Sequence, residues 1–324
     1  MADLADGDGV GDNIFIYRGG RAPRHVTHVR IDKSVDVIEE SAFKDCEHLV
    51  QVDTHDGIRR VGKWAFFKCK LLRRINLKSV AEIVMWAFNK CENLEFVEFG
   101  DKLETIGDGA FDDCISLQRL NLPSIVTIKP LAFWMCSALT DIELSERLET
   151  IEIHAFWGCD RLERIAIPLK RDLFSCDDTL QQYCQFHGCE QLVKVDLVGG
   201  IHATVASLHI DSWRSEMEEE INRINQVLPD AQTRDKTDEI QQWMDSVLNK
   251  MDRYIAEHYR YVKKGTNILE LALWKAKLGE KEEKSVDGRA KKAKVDADSA
   301  RKEKRITCGA DMVIKNVLPF LKLV

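Results

Sequence analysis

The dominant pattern in this sequence is a repeat of hydrophobic positions with a period of 22 or 23 residues. One copy runs from Leu103 to Leu122 and reads LETIGDGAFDDCISLQRLNL. In each copy a phenylalanine is followed three residues later by a cysteine, and three residues after that by a leucine. The phenylalanines of the seven copies are Phe43, Phe66, Phe88, Phe111, Phe133, Phe156 and Phe186. A repeat this regular predicts an architecture of stacked structural units.

Each copy carries too few apolar side chains to enclose its own core, so neighbouring copies are expected to share one continuous core. The segment from Leu117 to Leu122 alternates apolar and polar residues, and this period of two is typical of a strand with one buried face. Stacking is expected to pair such strands into one parallel sheet. We expect a helical or 3₁₀ turn in the limb that carries the Ala-Phe-x-x-Cys unit. The predicted fold class is an α/β repeat, a solenoid with a parallel β-sheet on one face and an α-helical cap region at its C-terminal end.

The repeat resembles that of one known family. Its pattern is similar to LxxIxxxAFxxCxxLxxIxIP, the repeat of BspA-type leucine-rich repeat proteins, and one copy ends in the family's proline at Leu122-Pro123-Ser124. The resemblance extends from about Val26 to Leu197, although Lys78 replaces the proline in one copy and the last copy is interrupted. It implies a right-handed leucine-rich repeat solenoid that binds other macromolecules and carries no catalysis.

The composition changes outside the repeats. Residues 1–13 are acidic and glycine-rich and are expected to be a disordered tail, whereas residues 14–200 form the solenoid with its N-terminal cap. A slip in register between Pro168 and Thr179 predicts a polar loop at a coil edge. Residues 280–305 are a charged linker. Residues 306–324 are apolar enough to predict a helical segment that packs back onto the preceding helices.

Residues 201–279 are predicted to be helical, because their apolar residues recur at spacings of three and four. The first helix is expected from Asp211 or Ser212 to Pro229, and the second carries residues 240–258. The third is expected to start at Thr266 or Asn267 and to stop near Gly279. These helices are predicted to cap the open end of the solenoid, where exposed strand edges would otherwise promote association.

Charge and cysteine placement bear on partners and location. The net charge of −7 gives no general attraction to nucleic acid or an anionic membrane, so neither is expected as a partner. The chain shows no apolar signal segment after Met1 and no stretch of the ~20 apolar residues that span a bilayer. Seven of the ten cysteines occupy the inward repeat position, which favours reduced core thiols. An intracellular, cytoplasmic location is expected, with a nuclear location as the alternative if Arg289–Lys294 is an import signal.

Catalysis finds little support in the sequence, and no enzyme activity, cofactor or resident metal is assigned. HExxH, GxSxG and P-loop motifs are missing, and the nine histidines are dispersed. The best metal candidate is Cys184, His187 and Cys189, with Cys176 upstream, because thiolates and imidazole suit zinc. Yet Cys189 is a core position of the repeat, and His187 is expected to face outward. The spacing also matches no common zinc motif, so a zinc site is kept only as a second alternative.

The outward positions of the predicted sheet are the main candidate binding site. If Leu120 and its alternating neighbours face inward, then Arg119 and Asn121 face outward, and the same offset applies to every coil. The predicted contact residues are Arg74, Asn76, Phe96, Glu98, Arg119, Asn121, Asp141, Glu143 and Arg164. Their mixed charges argue against a phosphate-tracking groove and favour a protein or peptide partner. The alternative for each residue is an ordinary solvated position. The predicted function is a non-catalytic protein–protein interaction scaffold.

A second candidate surface is aromatic. Trp64 and Trp86 lie two residues before their phenylalanines, while Phe67, Trp134 and Trp157 lie one residue after theirs. Like-placed rings are therefore expected to stack on adjoining coils, with Trp134 and Trp157 as partner contacts at this edge. The rings can instead simply cover gaps between coils. The alternative function is a structural or self-associating protein that uses the helical region and this tryptophan-rich edge.

Overall fold

The structure, a computed structural model, describes residues 14–175, 184–198 and 213–284. The chain divides into two compact units, with the division between Leu248 and Asn249. The predicted tail at residues 1–13 and the fold-back segment at 306–324 lie outside the described residues. The same holds for the basic cluster at 289–294 and for the end of the predicted polar loop beyond residue 175.

The repeats build two faces of parallel strands. In chain order the strands are β1 (Ile14–Tyr17), β2 (His28–Ile31), β3 (Val37–Ile38), β4 (Gln51–Asp53), β5 (Arg60–Val61), β6 (Arg74–Leu77), β7 (Glu82–Ile83), β8 (Phe96–Phe99), β9 (Thr105–Ile106), β10 (Arg119–Asn121), β11 (Thr127–Ile128), β12 (Asp141–Glu143), β13 (Thr150–Ile151), β14 (Arg164–Ile167) and β15 (Lys194–Leu197). The first face contains β1, β2, β4, β6, β8, β10, β12, β14 and β15, and the second contains β3, β5, β7, β9, β11 and β13.

The first face confirms the predicted strands and their inward–outward alternation. Arg119 pairs with Asp141 of the next coil and Asn121 with Glu143, so equivalent repeat positions form columns. The face consists of three successive ladders, β1-β2-β4, β6-β8 and β10-β12-β14-β15, and not of one unbroken sheet. At its start β1 pairs in parallel with β2, so this strand extends the face one position before the first repeat.

The sequence pattern does not predict the second face. Its six strands are two residues long and pair in the order β13-β11-β9-β7-β5-β3. Each places one aliphatic side chain in the core, as Ile106 and Ile128 do in β9 and β11. A period of two cannot be recognised over two residues, so only their recurrence marks these strands.

The limb with the Ala-Phe-x-x-Cys unit consists of single turns closed by i→i+3 hydrogen bonds, as Trp134 N–H donates to the carbonyl of Leu131 at 3.0 Å. The expected 3₁₀-type turns are therefore present, but they do not continue into a helix. Residues two before and two after the phenylalanine have positive φ angles, for example 58° at Leu131 and 57° at Met135 around Phe133. Helices need continuous negative φ. The limb also joins the coils through its own backbone hydrogen bonds, because Phe133 N–H donates to the carbonyl of Ala155 at 2.8 Å.

The core is a column of rings flanked by a column of thiols. The seven repeat phenylalanines are fully buried, and neighbouring rings lie nearly parallel with centroids 4.9–5.8 Å apart. Each repeat cysteine after the first donates its S–H to the carbonyl of the phenylalanine in the preceding coil, as Cys91 does to Phe66 at 3.1 Å. The S–H donor of each of these buried cysteines is therefore hydrogen-bonded to a main-chain carbonyl and is not left unpaired in the core.

The described part of the insertion after Pro168 contains the expected polar turn, with Arg171 and Asp172 exposed, and then a buried apolar segment that was not expected. Leu173 and Phe174 are buried, and Phe174 forms a parallel bridge with Ile151 of the second face. The ring of Phe174 meets Phe186 edge-on, with centroids 5.6 Å apart. These two apolar residues carry the second face one coil further, because burying them outweighs the polar character of the preceding residues.

Helices close the C-terminal end of the first unit, which confirms the predicted cap. Helix α1 spans Trp213–Val227, and helix α2 spans Lys236–Lys284. The side chain of Asn225 bonds to both main-chain groups of Val195 on the open edge of β15, accepting from N–H at 2.8 Å and donating to the carbonyl at 3.2 Å. The Nζ of Lys236 donates to the carbonyls of Cys189, Glu190 and Leu192 at 2.7–3.1 Å. Main-chain groups that the next coil would have satisfied thus find side-chain partners.

The predicted second and third helices form one helix. Helix α2 continues through Thr266 without interruption and extends past Gly279 to Lys284. The Thr266 hydroxyl donates to the carbonyl of Lys263 one turn earlier, so this residue bonds within the helix and does not cap a new one. Among the described residues, no helix has the length and apolarity needed to cross a membrane.

Candidate interaction surface

The structure places the predicted contact residues on the outside of the first face. Six are exposed, namely Arg74, Asn76, Phe96, Arg119, Asn121 and Glu143, and three are half-buried, namely Glu98, Asp141 and Arg164. Adjacent strands align them into two columns, with Arg74 beside Phe96 and Asn76 beside Glu98. The alternation fails at one position: the offset that places Asn121 and Glu143 outward also predicts an outward Ala166, which is only 1% exposed.

The charges at both ends of this face neutralise each other. Near its start Arg30 pairs with Asp53 at 3.4 Å. Near its end Arg164 lies between two carboxylates, 2.8 Å from Asp141 and 2.6 Å from Asp196. Because these charges already have partners of opposite sign, they leave little charge for a binding partner. The ends of the face are therefore weak candidates for contact.

The centre of the face differs from its ends. Arg74 and Arg119 lie on either side of Phe96 in the first column, and neither arginine forms an ion pair within the described residues. The ring of Phe96 is 49% exposed, although core packing does not require it there. The sequence predicted the outward orientation of these three residues. It could not show that the arginines stay unpaired, because that depends on residues in other coils.

The aromatic edge contains an organised cluster at the second and third copies. Trp64 and Trp86 stack with centroids 5.6 Å apart and planes 12° apart, which confirms the predicted stacking of like-placed rings. Lys63 and Lys44 place their ammonium groups 4.1 and 4.6 Å from the Trp64 ring. Such cation–π contacts bind the coils together. The cluster therefore serves the solenoid itself.

Trp134 and Trp157, the predicted contacts at this edge, have different surroundings. Trp134 is 36% exposed. Trp157 is half-buried between two imidazoles, with ring centroids 4.8 Å from His154 and 4.0 Å from His187. Across the described residues, no ring contact joins Trp134 to Trp157. Their stacking was an expectation that the structure does not bear out.

The zinc alternative does not fit the geometry. Cys189 is fully buried and donates its S–H to the carbonyl of Phe156 at 3.2 Å. His187 is half-buried against Trp157 and does not face outward as predicted. Within the described ranges, His, Cys, Asp and Glu side chains form no group of three that can hold a metal ion. Cys176 lies outside those ranges.

The sequence pattern missed one ionisable site. Asp112 follows the phenylalanine of its copy, and its Oδ2 accepts a hydrogen bond from Asn89 Nδ2 at 2.6 Å. Its other oxygen, Oδ1, is buried without a hydrogen-bond partner. Burial, with a smaller contribution from Asp113, raises the pKa of Asp112 to about 6. A carboxyl at a position that holds Lys44 and Phe67 in earlier copies gave no signal in the sequence.

Comparison with protein families decides the classification. The family described as BspA type leucine rich repeat region matches in six copies, over residues 22–127 and 72–193, which together exceed half of the chain. The chain belongs to the BspA-type leucine-rich repeat family. Proteins built from this repeat are in general protein-interaction or surface repeat proteins. Among curated protein sequences, none shows significant similarity to this chain.

Solved structures similar to this BspA-type protein are bacterial leucine-rich repeat proteins. The leucine-rich repeat protein of T. pallidum is 26% identical, with 55% of this chain and 82% of that chain covered and a TM-score of 0.44. A leucine-rich repeat protein from Eubacterium ventriosum is also 26% identical, with coverages of 41% and 37% and a TM-score of 0.38. A leucine rich cell surface protein from Faecalibacterium prausnitzii is 22% identical, with coverages of 56% and 62% and a TM-score of 0.34.

Proposed function

We propose that this protein is a non-catalytic interaction scaffold that recognises a protein or peptide partner through the first face of its solenoid. One observation carries the proposal. The centre of that face presents an exposed aromatic ring between two arginines that have no ion-pair partner in the described structure, whereas Arg30 and Arg164, nearer its two ends, are paired with carboxylates. Aromatic and arginine side chains are the residue types that contribute most to protein interfaces.

The backbone supports recognition by a preformed surface. The strands that hold Arg74, Phe96 and Arg119 are fixed by backbone hydrogen bonds between coils and by the buried column of phenylalanines. A side chain on such a strand keeps its direction whether or not a partner is bound. The cost of ordering this protein on binding is therefore small.

Affinity purification from the source cells tests the proposal. The intact protein is compared with the triple variant Arg74→Ala, Phe96→Ala and Arg119→Ala. These three side chains make no ion pair within the described structure, so the variant is expected to fold normally. A partner retained by the intact protein and lost by the variant supports the proposal. Equal recovery by both proteins would place the binding surface elsewhere.

Two control variants make this comparison specific. Arg164→Ala changes an arginine on the same face whose charge is already paired with Asp141 and Asp196, and partner recovery is expected to remain. Trp134→Ala removes a ring at the aromatic edge and is also expected to leave recovery intact. Circular dichroism and thermal unfolding of each variant establish that its solenoid is formed.

Self-association through helix α2 is a second candidate function, favoured by a separate observation. In the second unit, large apolar side chains of this helix are exposed: Ile255 at 44%, Tyr259 at 54%, Leu269 at 64% and Trp274 at 57%. Ile255, Tyr259 and Leu269 occupy a and d positions of a single heptad register. Apolar residues at these positions form the seam along which two helices pair in a coiled coil. Pairing of two copies along this seam would cover Ile255, Tyr259 and Leu269.

Light scattering coupled to size-exclusion chromatography tests this second candidate. Self-association predicts a dimer that becomes monomeric in the variant Tyr259→Asp and Leu269→Asp. A protein that is monomeric at all concentrations would remove the candidate.

The fold-back of residues 306–324 onto the helices remains a prediction about the same region. Deleting that segment and repeating the measurement separates the two, because an exposed seam then promotes association.

The absence of catalysis and the intracellular location also remain proposals. The seven repeat cysteines are buried and form no disulfides. Their thiols pack as core groups, which fits a reducing compartment. Fluorescence microscopy of the tagged protein in source cells tests the location, and nuclear signal that depends on residues 289–294 would favour the import alternative.

A further inference from the structure

We infer that the partner presents an extended acidic segment with an apolar side chain between two carboxylates. This inference rests on the proposed function and adds the chemistry of the ligand to it. It is drawn from five residues in three adjacent coils of the first face: Arg74, Asn76, Phe96, Arg119 and Asn121.

The spacing of the two arginines sets the spacing of the carboxylates. Arg74 aligns with Phe96 in the paired strands β6 and β8. Arg119 follows in the next coil, where Gln118 N–H donates to the carbonyl of Glu95. Two strand separations amount to roughly 10 Å. One turn of a polyproline II helix has three residues and rises about 9 Å, so side chains at positions i and i+3 lie on the same side. A peptide in this conformation along the column therefore brings acidic residues at positions i and i+3 to the two guanidinium groups.

The positive charge at the centre is not cancelled by its acidic neighbours. Glu98 lies in the second column, but its carboxylate is 2.6 Å from the ammonium of Lys78. Glu95, the residue before Phe96, is half-buried. The equivalent residue one coil earlier is Arg73, which is exposed and adds a further positive charge beside Arg74. The face is thus locally cationic in a chain whose net charge is −7. Arginine presents a rigid fork of donors that matches a carboxylate, so an acidic ligand is the natural complement.

The polar groups beside Phe96 suit a peptide backbone. Asn76 Oδ1 already accepts a hydrogen bond from the main-chain N–H of Lys78 at 3.0 Å. That bond fixes the amide and leaves its Nδ2 donor for a ligand carbonyl. Asn121 is exposed at the equivalent position two coils further along. Phe96, between the arginines, is left to contact an apolar side chain at i+1 or i+2, where burial of its exposed ring favours binding.

Selection from a library of random displayed peptides tests the inference with the full-length protein. Enriched peptides are expected to contain two acidic residues three positions apart, with an apolar residue between them. A synthetic peptide with this pattern should bind at least about tenfold more weakly to the variant Arg74→Glu and Arg119→Glu. The amide version of the peptide, with Gln in place of Glu, should also bind about tenfold more weakly to the intact protein.

A charge-matched control separates this site from the other basic surface. The variant Lys44→Glu and Lys63→Glu makes the same change in charge at the aromatic edge, and it should bind the acidic peptide within about twofold of the intact protein. Loss of binding in this control, with retention in the arginine variant, would overturn the inference.

The same selection distinguishes failure of the inference from failure of the proposed function. Peptides that lack acidic residues but are lost in Phe96→Ala would contradict the acidic ligand and leave the face as the binding site. If no enriched peptide depends on Arg74, Phe96 or Arg119, both the ligand and the site are wrong. Enrichment of basic peptides would also contradict the acidic ligand, because their charge is opposite to the one expected.

Discussion

The thiol of Cys114 donates a hydrogen bond to the carbonyl oxygen of Phe88 in the preceding coil, with Sγ and O 3.2 Å apart. The same carbonyl also accepts the main-chain N–H of Cys91 at 3.1 Å. One repeat position therefore fills the core and ties two coils together. Burial raises the pKa of the Cys114 thiol well above its usual value, so it stays protonated as the bond requires.

Replacing this cysteine should cost stability even though no disulfide is lost. Cys114→Ala removes a buried sulfur and its hydrogen bond, and we expect unfolding free energy to fall by about 1–2 kcal/mol. Urea denaturation followed by circular dichroism measures the change. Ile115→Ala, at a neighbouring residue that is 45% exposed, is the control and should cost less than about 0.5 kcal/mol. Equal losses in both variants would show that the thiol contributes nothing special.

The stacking of Trp64 and Trp86 requires a glycine at position 109, because a Cβ there would overlap the Trp86 indole. The φ of Gly109 is +55°, and an added Cβ would lie 2.4 Å from Cδ1 of Trp86. Gly109→Ala should therefore destabilise the protein by about 2–3 kcal/mol, from backbone strain and displacement of the indole. Thermal unfolding and tryptophan fluorescence report the two effects.

Gly20→Ala isolates the backbone part of that effect. Gly20 also has a positive φ, +73°, but an added Cβ would meet nothing within 4 Å. We expect this control to cost about 1 kcal/mol and to leave the fluorescence unchanged. If Gly20→Ala is as damaging as Gly109→Ala, contact with Trp86 is not the cause.

Because Asp112 has a raised pKa, the folded protein should lose stability as pH rises, and a variant without this carboxyl should not. The pKa of Asp112 is raised to about 6 in the folded protein from 3.8, so the unfolded chain ionises first as pH rises. Stability contributed by the protonated carboxyl is complete below pH 3.8 and is lost as pH rises toward 6. Asp112→Asn keeps an acceptor for Asn89 and removes the ionisation. The variant should be more stable than the parent at pH 7.5, and the difference should vanish near pH 4.

Denaturation curves at both pH values test this assignment. Asp101→Asn, an exposed aspartate in a turn, is the control and should change stability equally at the two pH values. A gain for Asp112→Asn that persists at pH 4 would mean that the amide packs better and that ionisation plays no part.

Lys236 closes the last coil by donating hydrogen bonds to its main-chain carbonyls. Only 1% of it is exposed, and its ammonium serves three carbonyls. Lys236→Met keeps the apolar stem and leaves those carbonyls unsatisfied, so we expect a loss of about 3 kcal/mol. Hydrogen exchange should accelerate first in residues 184–198. Lys102→Met, at an exposed turn, is expected to change neither quantity.

The features that recur in every coil could be predicted from the sequence, whereas features that occur at a single position could not. The recurring phenylalanine, cysteine and leucine revealed the coils, the core and the outward columns, because each signal was repeated seven times. Leu173 and Phe174 were hidden in a polar stretch, where two apolar residues make no pattern. Lys236 gave no sign of being buried, since lysine is ordinarily exposed.

The candidate site shows the same division. Alternation along the strands predicted that Arg119 and Arg164 face outward from the first face. Their difference comes from Asp196, which reaches Arg164 from the last coil, 32 residues further along the chain. No local pattern carries such a contact, so only the structure separates the unpaired arginines at the centre from the neutralised pairs at the ends.

Photo-crosslinking at single positions tests the central claim most directly. A benzophenone amino acid replaces Phe96 on the first face in one protein and Ile115 at the exposed turn in another, and both are irradiated in source cells. Recognition through the first face predicts a discrete adduct with a partner protein from position 96 and none from position 115. An adduct from position 115 alone would contradict it.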